Sequence, residues 1–254
     1  MKLLIDADYL AYKACASAEY DVDYGDDVIV VASHFSDALR LVEKDLKILH
    51  EKFLWDSPEL ILFFSHSSNF RKKIYPAYKG HRNRKKPCGY RRLITKLSES
   101  YEVIRIEELE ADDALGIYAT ANPGNVIVSP DKDLRQIPGR LHNMDETIVV
   151  EEEEGRRWHL IQTLAGDSTD GYSGAPGFGV KSAIKWFEEN EYDWESVVSA
   201  FESKGLTAND ALTNARLAKI LTCNDYDSGP ILWTPTNASG DTDNGAGSKT
   251  TSDN

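Results

Sequence analysis

The sequence predicts an α/β protein with a mostly parallel central sheet and helices on both faces of that sheet. Short apolar runs rich in β-branched and aromatic residues recur along the first 150 positions, as expected for strands buried on both faces. Stretches with apolar residues at helical spacing separate these runs, and strands that alternate with helices favour parallel pairing. A chain of 254 residues, 41% of them hydrophobic, can form a large core.

The predicted elements divide the chain into three parts. Strands are expected at 2–5, 60–64, 102–106, 125–128 and 146–150, and helices at 33–53, 89–99 and 111–121. The acidic run at 151–154 is expected to be a solvated loop, and from residue 158 the pattern becomes helix, loop and helix. Residues 234–254 contain almost nothing that could pack and are expected to be disordered. We therefore predict a core domain at 1–157, a helical subdomain at 158–233 and a tail at 234–254.

Acidic side chains occur in four short motifs, each just after an apolar run. In open α/β sheets the ligand site lies beyond the carboxyl ends of the strands, so we expect these side chains to converge. Two unit charges about 4 Å apart repel by roughly 4 kcal/mol at an effective dielectric near 20, so converging carboxylates need a cation or must stay protonated. Hard divalent ions accept oxygen ligands, so the sequence predicts a divalent metal site. The nine acids are Asp6, Asp8, Glu110, Asp112, Asp113, Asp131, Asp133, Asp167 and Asp170.

Simpler structural roles remain open for some of these acids. Glu110, Asp112 and Asp113 open a predicted helix, where negative charge suits the helix dipole. Asp131 and Asp133 lie in SPDKD, which is also typical of an ordinary turn. Asp6 and Asp8 end a strand near the predicted sheet centre, where an acid is seldom without a function.

Residues 71–92, called the basic segment below, contain ten Lys or Arg and no Asp or Glu. The whole chain has a net charge of −13, so the remainder carries −13 − 10 = −23. Aromatic residues lie within or beside the segment, a pattern that suits phosphate contacts combined with base or sugar stacking. A solvated charged face is the alternative. The aromatic residues are Phe70, Tyr75, Tyr78 and Tyr90.

A glycine-rich loop, SGAPGFGVKS, opens a predicted helix at residues 173–182. Free amides at a helix start attract anions, so the loop is typical of a phosphate-binding turn. It has no Gly-Lys-Ser/Thr tripeptide, which excludes a nucleotide P-loop. No strand precedes it and residue 182 is serine, which excludes a dinucleotide fingerprint. We favour a helix–turn–helix joint that holds a DNA phosphate over a plain helical hairpin turn.

Several classes of protein are excluded. The six histidines lack the HExxH spacing and cysteine partners of a zinc hydrolase, and there is no GxSxG serine motif. No apolar run reaches the roughly 20 residues of a membrane helix. The opening residues lack an export signal and the three cysteines form no CxxC pair, so we expect a cytoplasmic protein.

Three activities remain open for the acidic motifs. The first is phosphodiester hydrolysis by two metal ions roughly 3.5–4 Å apart. The second is a phosphatase in which Asp6 attacks as nucleophile and Asp8 acts as acid, which leaves the basic segment without a role. The third is a non-catalytic DNA-binding protein with a structural ion, for which so many acids are more than required.

The motif series is similar to that of the 5′-nuclease superfamily, which includes flap endonucleases, the 5′-nuclease domains of bacterial DNA polymerases and, in particular, the 5′→3′ exonucleases of short-tailed bacteriophages. The resemblance spans residues 2–233 and is carried in order by LIDADYLAYKA, FRKKIYPAYKGHR, EADDALG, SPDKDLRQI and GDSTDGYSGAPGFGVKSA. It implies a PIN-like core, a short basic helical arch at about 65–100 and a C-terminal helix–three-turn–helix subdomain. The implied activity is removal of nucleotides from the 5′ ends of duplex DNA with 5′-phosphorylated products, together with flap endonuclease and RNase H-like activity.

The resemblance also implies roles for individual residues. Two Mg²⁺ or Mn²⁺ ions would be held by all the acids above, with Asp8 either a ligand or a neighbour of the ligands. Lys79 and Arg82 would be catalytic and would also contact DNA. The implied partners are duplex DNA with a 5′ end or flap and an RNA–DNA hybrid, bound by a monomer in the host bacterial cytoplasm. A K⁺ ion would help the glycine-rich loop to grip the duplex. The further DNA contacts would be Arg71, Lys72, Gly177, Gly179 and Lys181.

One departure from the family pattern concerns the second strand of the core. The family usually places an aspartate soon after that strand and before an FR or WR pair. Here the stretch reads FFSHSSNFRK, with Ser65 and His66 in place of a carboxylate. Asp8 could compensate, His66 could bind the ion directly, or a water could fill the gap. A weaker magnesium site and a preference for manganese would follow.

Overall fold

The structure of the protein is a computed structural model that describes residues 1–54, 57–82 and 85–235. Its strands are Lys2–Asp6 (β1), Glu19–Asp23 (β2), Ile29–Ser33 (β3), Glu59–Phe63 (β4), Glu102–Ile104 (β5), Val126–Val128 (β6), Gly139–His142 (β7), Thr147–Val150 (β8), Gly166–Asp167 (β9) and Tyr172–Ser173 (β10). Its α-helices are Ala7–Ser17 (α1), Phe35–Lys52 (α2), Arg71–Ile74 (α3), Tyr90–Leu97 (α4), Ala111–Ala121 (α5), Glu152–Ala165 (α6), Val180–Glu189 (α7), Trp194–Glu202 (α8) and Ala208–Ala218 (α9). Residues 236–254 of the expected tail and residues 83–84 of the basic segment lie outside the described residues.

The central sheet has six strands in the order β5-β4-β1-β6-β7-β8. All neighbouring pairs are parallel except β7 and β8. Leu3 and Ile5 of β1 pack in one apolar cluster with α1, α2 and α4, whereas Leu4 points to the other face and packs with α5. The central strands β1, β4 and β6 are mostly apolar runs because both faces of the sheet are covered there. The predicted α/β fold with a mostly parallel sheet is confirmed.

The strand order brings the sequence motifs together at one edge. β4, β1 and β6 are adjacent and parallel, so their carboxyl ends lie side by side. Asp6 is the last residue of β1, and Asp131 and Asp133 begin the 3₁₀ helix that follows β6. α5 starts after Glu110, which caps it. Acids from separate motifs therefore meet at the same edge of the sheet.

The elements that differ from expectation lack a clear apolar pattern. The β2–β3 hairpin stands apart from the main sheet and is largely exposed on both strands, so no alternation marks it. β7 has the sequence GRLH, which is too short and mixed to identify as a strand. The acidic run at 151–154 is not a loop but leads into α6, where acids in the first turn favour the helix dipole. α6 is continuous through residue 157, so the predicted boundary there lies within a helix.

The C-terminal helices pack around a cluster of their own. Leu160, Leu164, Phe187 and Phe201 form much of its buried interior. The chain after α9 then returns to the sheet domain, where Leu221 packs with buried side chains of the first part. Within the described ranges, none of the helices combines the length and apolarity that a membrane span requires.

Candidate active site

A cavity of about 880 Å³ opens at the carboxyl edge of the sheet. It is lined by eight of the nine acids expected at the site, contributed by five separate elements or loops, together with Lys79, Arg82 and Lys86. The eight acids are Asp6, Asp8, Glu110, Asp112, Asp131, Asp133, Asp167 and Asp170.

Asp6 is held firmly at the end of β1 and is almost fully buried. The Ser129 hydroxyl donates to its Oδ2 over 2.9 Å, and the Tyr9 N–H donates to Oδ1 over 3.4 Å at the start of α1. Burial raises the pKa of Asp6 to about 6, the charge of Asp8 adds to the increase, and the bond from Ser129 opposes it. Metal-free, this carboxylate is less stable in its charged form than an ordinary aspartate.

Two further acids of the cavity, Asp112 and Asp133, are unfavourable in their charged forms. The Oδ1 atom of Asp133 is buried with no hydrogen-bond partner in the described residues. Burial, followed by the charges of Asp131 and Asp167, raises the pKa of Asp133 to about 7. Burial and the charges of Asp6 and Asp131 raise the pKa of Asp112 well above its usual range. A cation in the cavity would give the Asp133 oxygen a partner and offset the repulsion among these carboxylates.

The acids surround the cavity without forming a closed ligand cage. In the part of the chain that the structure describes, no three acids, histidines or cysteines are close enough together to ligate one ion as they stand. The donor set is nevertheless all carboxylate, includes an orphaned buried oxygen and contains no soft ligand. These residues fit hard divalent ions such as Mg²⁺ or Mn²⁺ after side-chain rotation.

Lys79 and Arg82 are paired with acids of the cavity. The Lys79 ammonium forms a short ion pair with Glu110 and lies 3.4 Å from Asp170, whose Oδ1 accepts from Arg82 over 2.6 Å. Burial would raise the pKa of Glu110, but the charges of Lys79 and Arg71 outweigh it and lower the pKa to about 2. The two cations therefore reach the cavity, where they offset part of its negative charge.

Tyr78, which the sequence suggested as a base- or sugar-stacking residue, instead contacts two acids of the cavity. Its ring is buried, and its hydroxyl lies 2.9 Å from Glu110 Oε2 and 2.6 Å from Asp170 Oδ2. The one phenol proton can be donated to only one of these oxygens at a time. The sequence placed it among the aromatic residues of the basic segment, directly before Lys79 in YPAYKGHR, but gave no indication of its acidic partners.

Asp113 and Arg71, expected as a metal ligand and a DNA contact, lie outside the cavity and are paired with each other. Asp113 is fully buried, does not line the cavity, and accepts two bonds of 2.6 and 2.8 Å from the Arg71 guanidinium. Arg71 also donates to the carbonyl oxygens of Leu217 and Lys219. With every oxygen and donor engaged below the surface, Asp113 is not available to an ion in the cavity, nor Arg71 to a DNA phosphate. The pair instead ties α3 and α5 to the end of α9.

The other expected DNA contacts are dispersed around the cavity. Gly179 lines it, whereas Lys72, Gly177 and Lys181 do not. Lys72 and Lys181 are exposed at the surface. Gly177 has φ of +86°, and a Cβ added at either glycine would meet no atom within 4 Å, so this loop is open to an approaching ligand. α7 begins directly after Gly179, whose N–H donates to Ser182 Oγ over 2.8 Å.

The region after β4 shows what stands in place of the missing carboxylate. The His66 Nδ1 atom is 2.8 Å from Ser68 Oγ, and His66 does not line the cavity. Ser65 does line it, and its N–H donates to Asp8 Oδ2 over 2.9 Å. The Tyr90 hydroxyl donates a short bond to the other oxygen of Asp8. Phe70, Tyr78 and Tyr90 are all buried, so none of the three stacks on a base.

The comparisons with known proteins agree with this geometry. The family described as 5′-3′ exonuclease, N-terminal resolvase-like domain, matches residues 1–157. The chain is 31% identical to the exonuclease of Escherichia phage T7 over 92% of this chain and 93% of the relative. It is 30% identical to the exodeoxyribonuclease of Enterobacteria phage T3, with 92% of each covered.

Solved structures give the same fold at lower identity. The T5 5′-exonuclease with divalent zinc ions bound superposes with a TM-score of 0.63 at 13% identity, covering 85% of this chain and 88% of that chain. A T5 flap endonuclease complex with DNA and metal ions gives a TM-score of 0.61 at 13% identity, covering 86% and 88%. By its sequence match, its fold and the acidic cavity at the sheet edge, the chain belongs to the 5′-3′ exonuclease family.

Proposed function

We propose that this protein is a metal-dependent 5′→3′ exonuclease that hydrolyses phosphodiester bonds from the 5′ ends of duplex DNA. The single observation that carries the proposal is the cavity in which eight carboxylates from distant motifs surround Lys79 and Arg82. A site with this charge pattern binds divalent ions through its acids and a phosphate beside its cations. The exonucleases of phages T7 and T3, similar over nearly their whole length, support the assignment.

The residues that would hold the ions are the eight acids of the cavity, without Asp113. Divalent ions bound there supply charge neutralisation of the scissile phosphate and lower the pKa of the attacking water. The water forms the new bond to phosphorus, the bond to the 3′ oxygen breaks, and the product keeps a 5′ phosphate. We include in this proposal that the site binds two ions and that these ions are Mg²⁺ or Mn²⁺.

Lys79 and Arg82 stabilise the charge that develops on the phosphate oxygens. Both side chains reach the cavity, and both are paired with carboxylates that the ions would also engage. As those carboxylates bind ions, the ammonium and guanidinium become free to turn to the phosphate. The acidic remainder of the surface repels DNA from other faces, which reconciles a net charge of −13 with DNA binding.

Lys79→Ala is expected to lower kcat by about 10²-fold or more while changing duplex affinity by less than about threefold, because the lost charge acts mainly in the transition state. Single-turnover cleavage and binding of the same labelled duplex in Ca²⁺ would separate the two effects. Lys44→Ala, which removes an equal charge from the exposed surface of α2 and from outside the cavity, is the matched control. If Lys79→Ala lowered the rate and the duplex affinity by equal factors, Lys79 would act only in binding the DNA and not in stabilising the transition state.

Gly179→Asp is expected to weaken duplex affinity about tenfold and to reduce its salt dependence, because it places a negative charge where the open loop would meet a phosphate. Gly229→Asp is the control, since a Cβ at either position meets no atom within 4 Å and neither glycine has a positive φ. Affinity would be measured by fluorescence anisotropy between 50 and 200 mM salt, the range over which phosphate contacts are resolved. Identical affinities for the two variants would remove the loop from the DNA-binding surface.

The activity itself is tested with end-labelled DNA. Duplex, 5′-flap and RNA–DNA hybrid substrates would be incubated with Mg²⁺, Mn²⁺ or a chelator, and the products resolved by length and end group. We expect metal-dependent release of 5′-phosphorylated nucleotides from duplex ends, with flap cutting and hybrid cleavage as further activities. Release of phosphate from small phosphomonoesters without DNA cleavage would favour an aspartyl phosphatase instead, and binding without any cleavage would favour a non-catalytic DNA-binding protein.

The remaining expectations belong to the same proposal. The turn between α6 and α7 would act as a helix–three-turn–helix that grips the duplex away from the cut, with a K⁺ ion at its glycines. The basic segment would act as an arch over a single-stranded or frayed 5′ end. The protein would act as a monomer in the cytoplasm of a host bacterium. Sedimentation with and without duplex, in K⁺ and in Na⁺, would test the oligomeric state and the potassium requirement.

A further inference from the structure

Tyr90 joins the basic segment to the acidic cavity. It is the first residue of α4, is buried in the apolar cluster beneath the sheet, and donates its hydroxyl proton to Asp8 Oδ1. A buried tyrosine hydroxyl needs a partner, and here that partner is a carboxylate that lines the cavity. Tyr90 itself does not line the cavity, so it acts on the site only through Asp8.

Asp8 is fixed from two sides. Its other oxygen, Oδ2, accepts the main-chain N–H of Ser65, which directly follows the end of β4 and Phe64. These two bonds, one from the chain after β4 and one from α4, determine the orientation of the Asp8 side chain in the first turn of α1. The Asp8 carboxylate therefore lies beside Ser65, in the stretch after β4 where the family usually has an aspartate. Ser65 and His66 supply no carboxylate there.

We propose that Tyr90 is a positioning residue that orients Asp8 to serve as the acidic metal ligand that β4 lacks, and so links the fold of the basic segment to the metal site. The inference rests on the proposed function for the identity of the site, but it concerns ion binding, which can be measured without DNA. Outer partners of metal ligands typically change metal affinity by about 10–100-fold when they are removed.

The basic segment is anchored at the same point by other contacts. The Lys86 ammonium lies 4.4 Å from the centroid of the Tyr90 ring and also lines the cavity. The Cys88 N–H donates to Glu19 Oε1 over 2.7 Å. Tyr90 thus stands where the second half of the segment rejoins the core, with a cation on its ring and a carboxylate on its hydroxyl. Disturbing that junction would alter both the approach of a phosphate and the position of Asp8.

The test measures Mn²⁺ affinity of the full-length, DNA-free protein by titration calorimetry and by the loss of the free-ion paramagnetic resonance signal. The variants are Tyr90→Phe, Asp8→Asn and the double variant, with Tyr101→Phe as matched control. Tyr101 packs against the same apolar cluster, and its hydroxyl has no hydrogen bond to a described residue. Tyr90→Phe keeps the buried ring, and thermal melting of each variant verifies that it is folded.

We expect Tyr90→Phe and Asp8→Asn each to weaken one class of Mn²⁺ sites about tenfold, the double variant to be no weaker than Asp8→Asn, and Tyr101→Phe to match the wild type. Unchanged affinity in either single variant, or losses that add in the double variant, would overturn the proposal. If the pattern is found but the wild type cleaves no DNA, the proposed function fails while this inference stands. If the wild type binds no Mn²⁺, the inference fails.

Discussion

Replacing Asp131 and Asp133 together by asparagine is expected to reduce metal-dependent DNA cleavage by about 10³-fold or more while duplex affinity changes by less than about twofold. Both acids line the cavity, and Asp133 Oδ1 is buried without a hydrogen-bond partner among the described residues, as suits an oxygen that would bind a cation. Loss of one preorganised charge-stabilising group commonly costs on the order of 10²–10³ in rate, and here two ion ligands are neutralised. Single-turnover cleavage in Mg²⁺ and duplex binding in Ca²⁺ would provide the two numbers.

The same double variant is expected to change stability in a direction that depends on pH and metal. Burial and like charges raise the pKa of Asp133 to about 7 from an ordinary value of 3.8, so the folded state holds a proton that the unfolded state releases. Folding stability therefore decreases as pH rises from about 4 to about 7, and the loss is complete above that range. At pH 8 without metal, the wild type has already lost this contribution and holds a charged, buried Asp133, whereas the variant holds a neutral asparagine there. The melting temperature of the variant at pH 8 should therefore be no lower than that of the wild type.

Added Mn²⁺ should raise the melting temperature of the wild type at pH 8 and have little effect on the variant, because an ion stabilises only the form that binds it. Asp26→Asn with Asp27→Asn is the matched control. It removes the same charge from exposed positions outside the cavity, with φ of 50° and 59° that asparagine tolerates. A metal-induced rise in the Asp131/Asp133 variant equal to that of the wild type would contradict a role for these acids in ion binding.

The convergence of acids could be predicted from the sequence because it depends on topology. The motifs of Asp6, Glu110 and Asp131 each come after a strand of the parallel part of the sheet, and adjacent parallel strands end at the same edge. Asp6, Asp131 and Glu110 needed only the strand positions and the rule for open sheets to be placed together. Lys79 and Arg82 lie in the cavity for a related reason, since the basic segment starts just beyond the end of β4.

The individual partner of each side chain could not be predicted in the same way. Asp112 and Asp113 are adjacent in the chain, yet one lines the cavity and the other is buried against Arg71, because neighbouring positions on a helix point in different directions. Tyr78 and Tyr90 lie in a basic, aromatic segment that is typical of a DNA-stacking surface. Their rings are buried, however, and only their hydroxyls contact acids of the cavity. Burial of an amphipathic side chain depends on tertiary packing that a local pattern does not encode.

The β2–β3 hairpin and the start of α6 show the limits of apolar periodicity. The hairpin is exposed on both strands, so no face is marked by a repeating apolar residue. α6 opens with three consecutive glutamates, Glu152, Glu153 and Glu154, which resemble a solvated loop in composition. They are stabilised by the helix dipole and by ion pairs from Glu153 to Arg156 and Arg157, and this support appears only once the helix exists.

Arg71→Met is expected to destabilise the protein by about 3–5 kcal/mol, because it leaves the fully buried Asp113 carboxylate without its ion-pair partner. The carbonyl oxygens of Leu217 and Lys219 would also lose their donors. Urea unfolding followed by circular dichroism would measure the loss. Lys72→Met, which removes an exposed positive charge from the neighbouring position, is the control and should change stability by less than about 0.5 kcal/mol.

The double variant Arg71→Met with Asp113→Leu separates the buried ion pair from a role in DNA binding. Removing both charges relieves the uncompensated carboxylate, so this protein should be more stable than Arg71→Met alone. It should remain less stable than the wild type, because the carbonyl oxygens of Leu217 and Lys219 and the N–H groups of Glu110 and Leu221 lose their partners. If Arg71 served as a phosphate contact, Arg71→Met would instead weaken duplex affinity with little change in stability, and Asp113→Leu would restore nothing. The buried bidentate geometry predicts the first pattern, because this ion pair joins α3, the first turn of the basic segment, to α5, and Arg71 also donates to carbonyl oxygens at the end of α9.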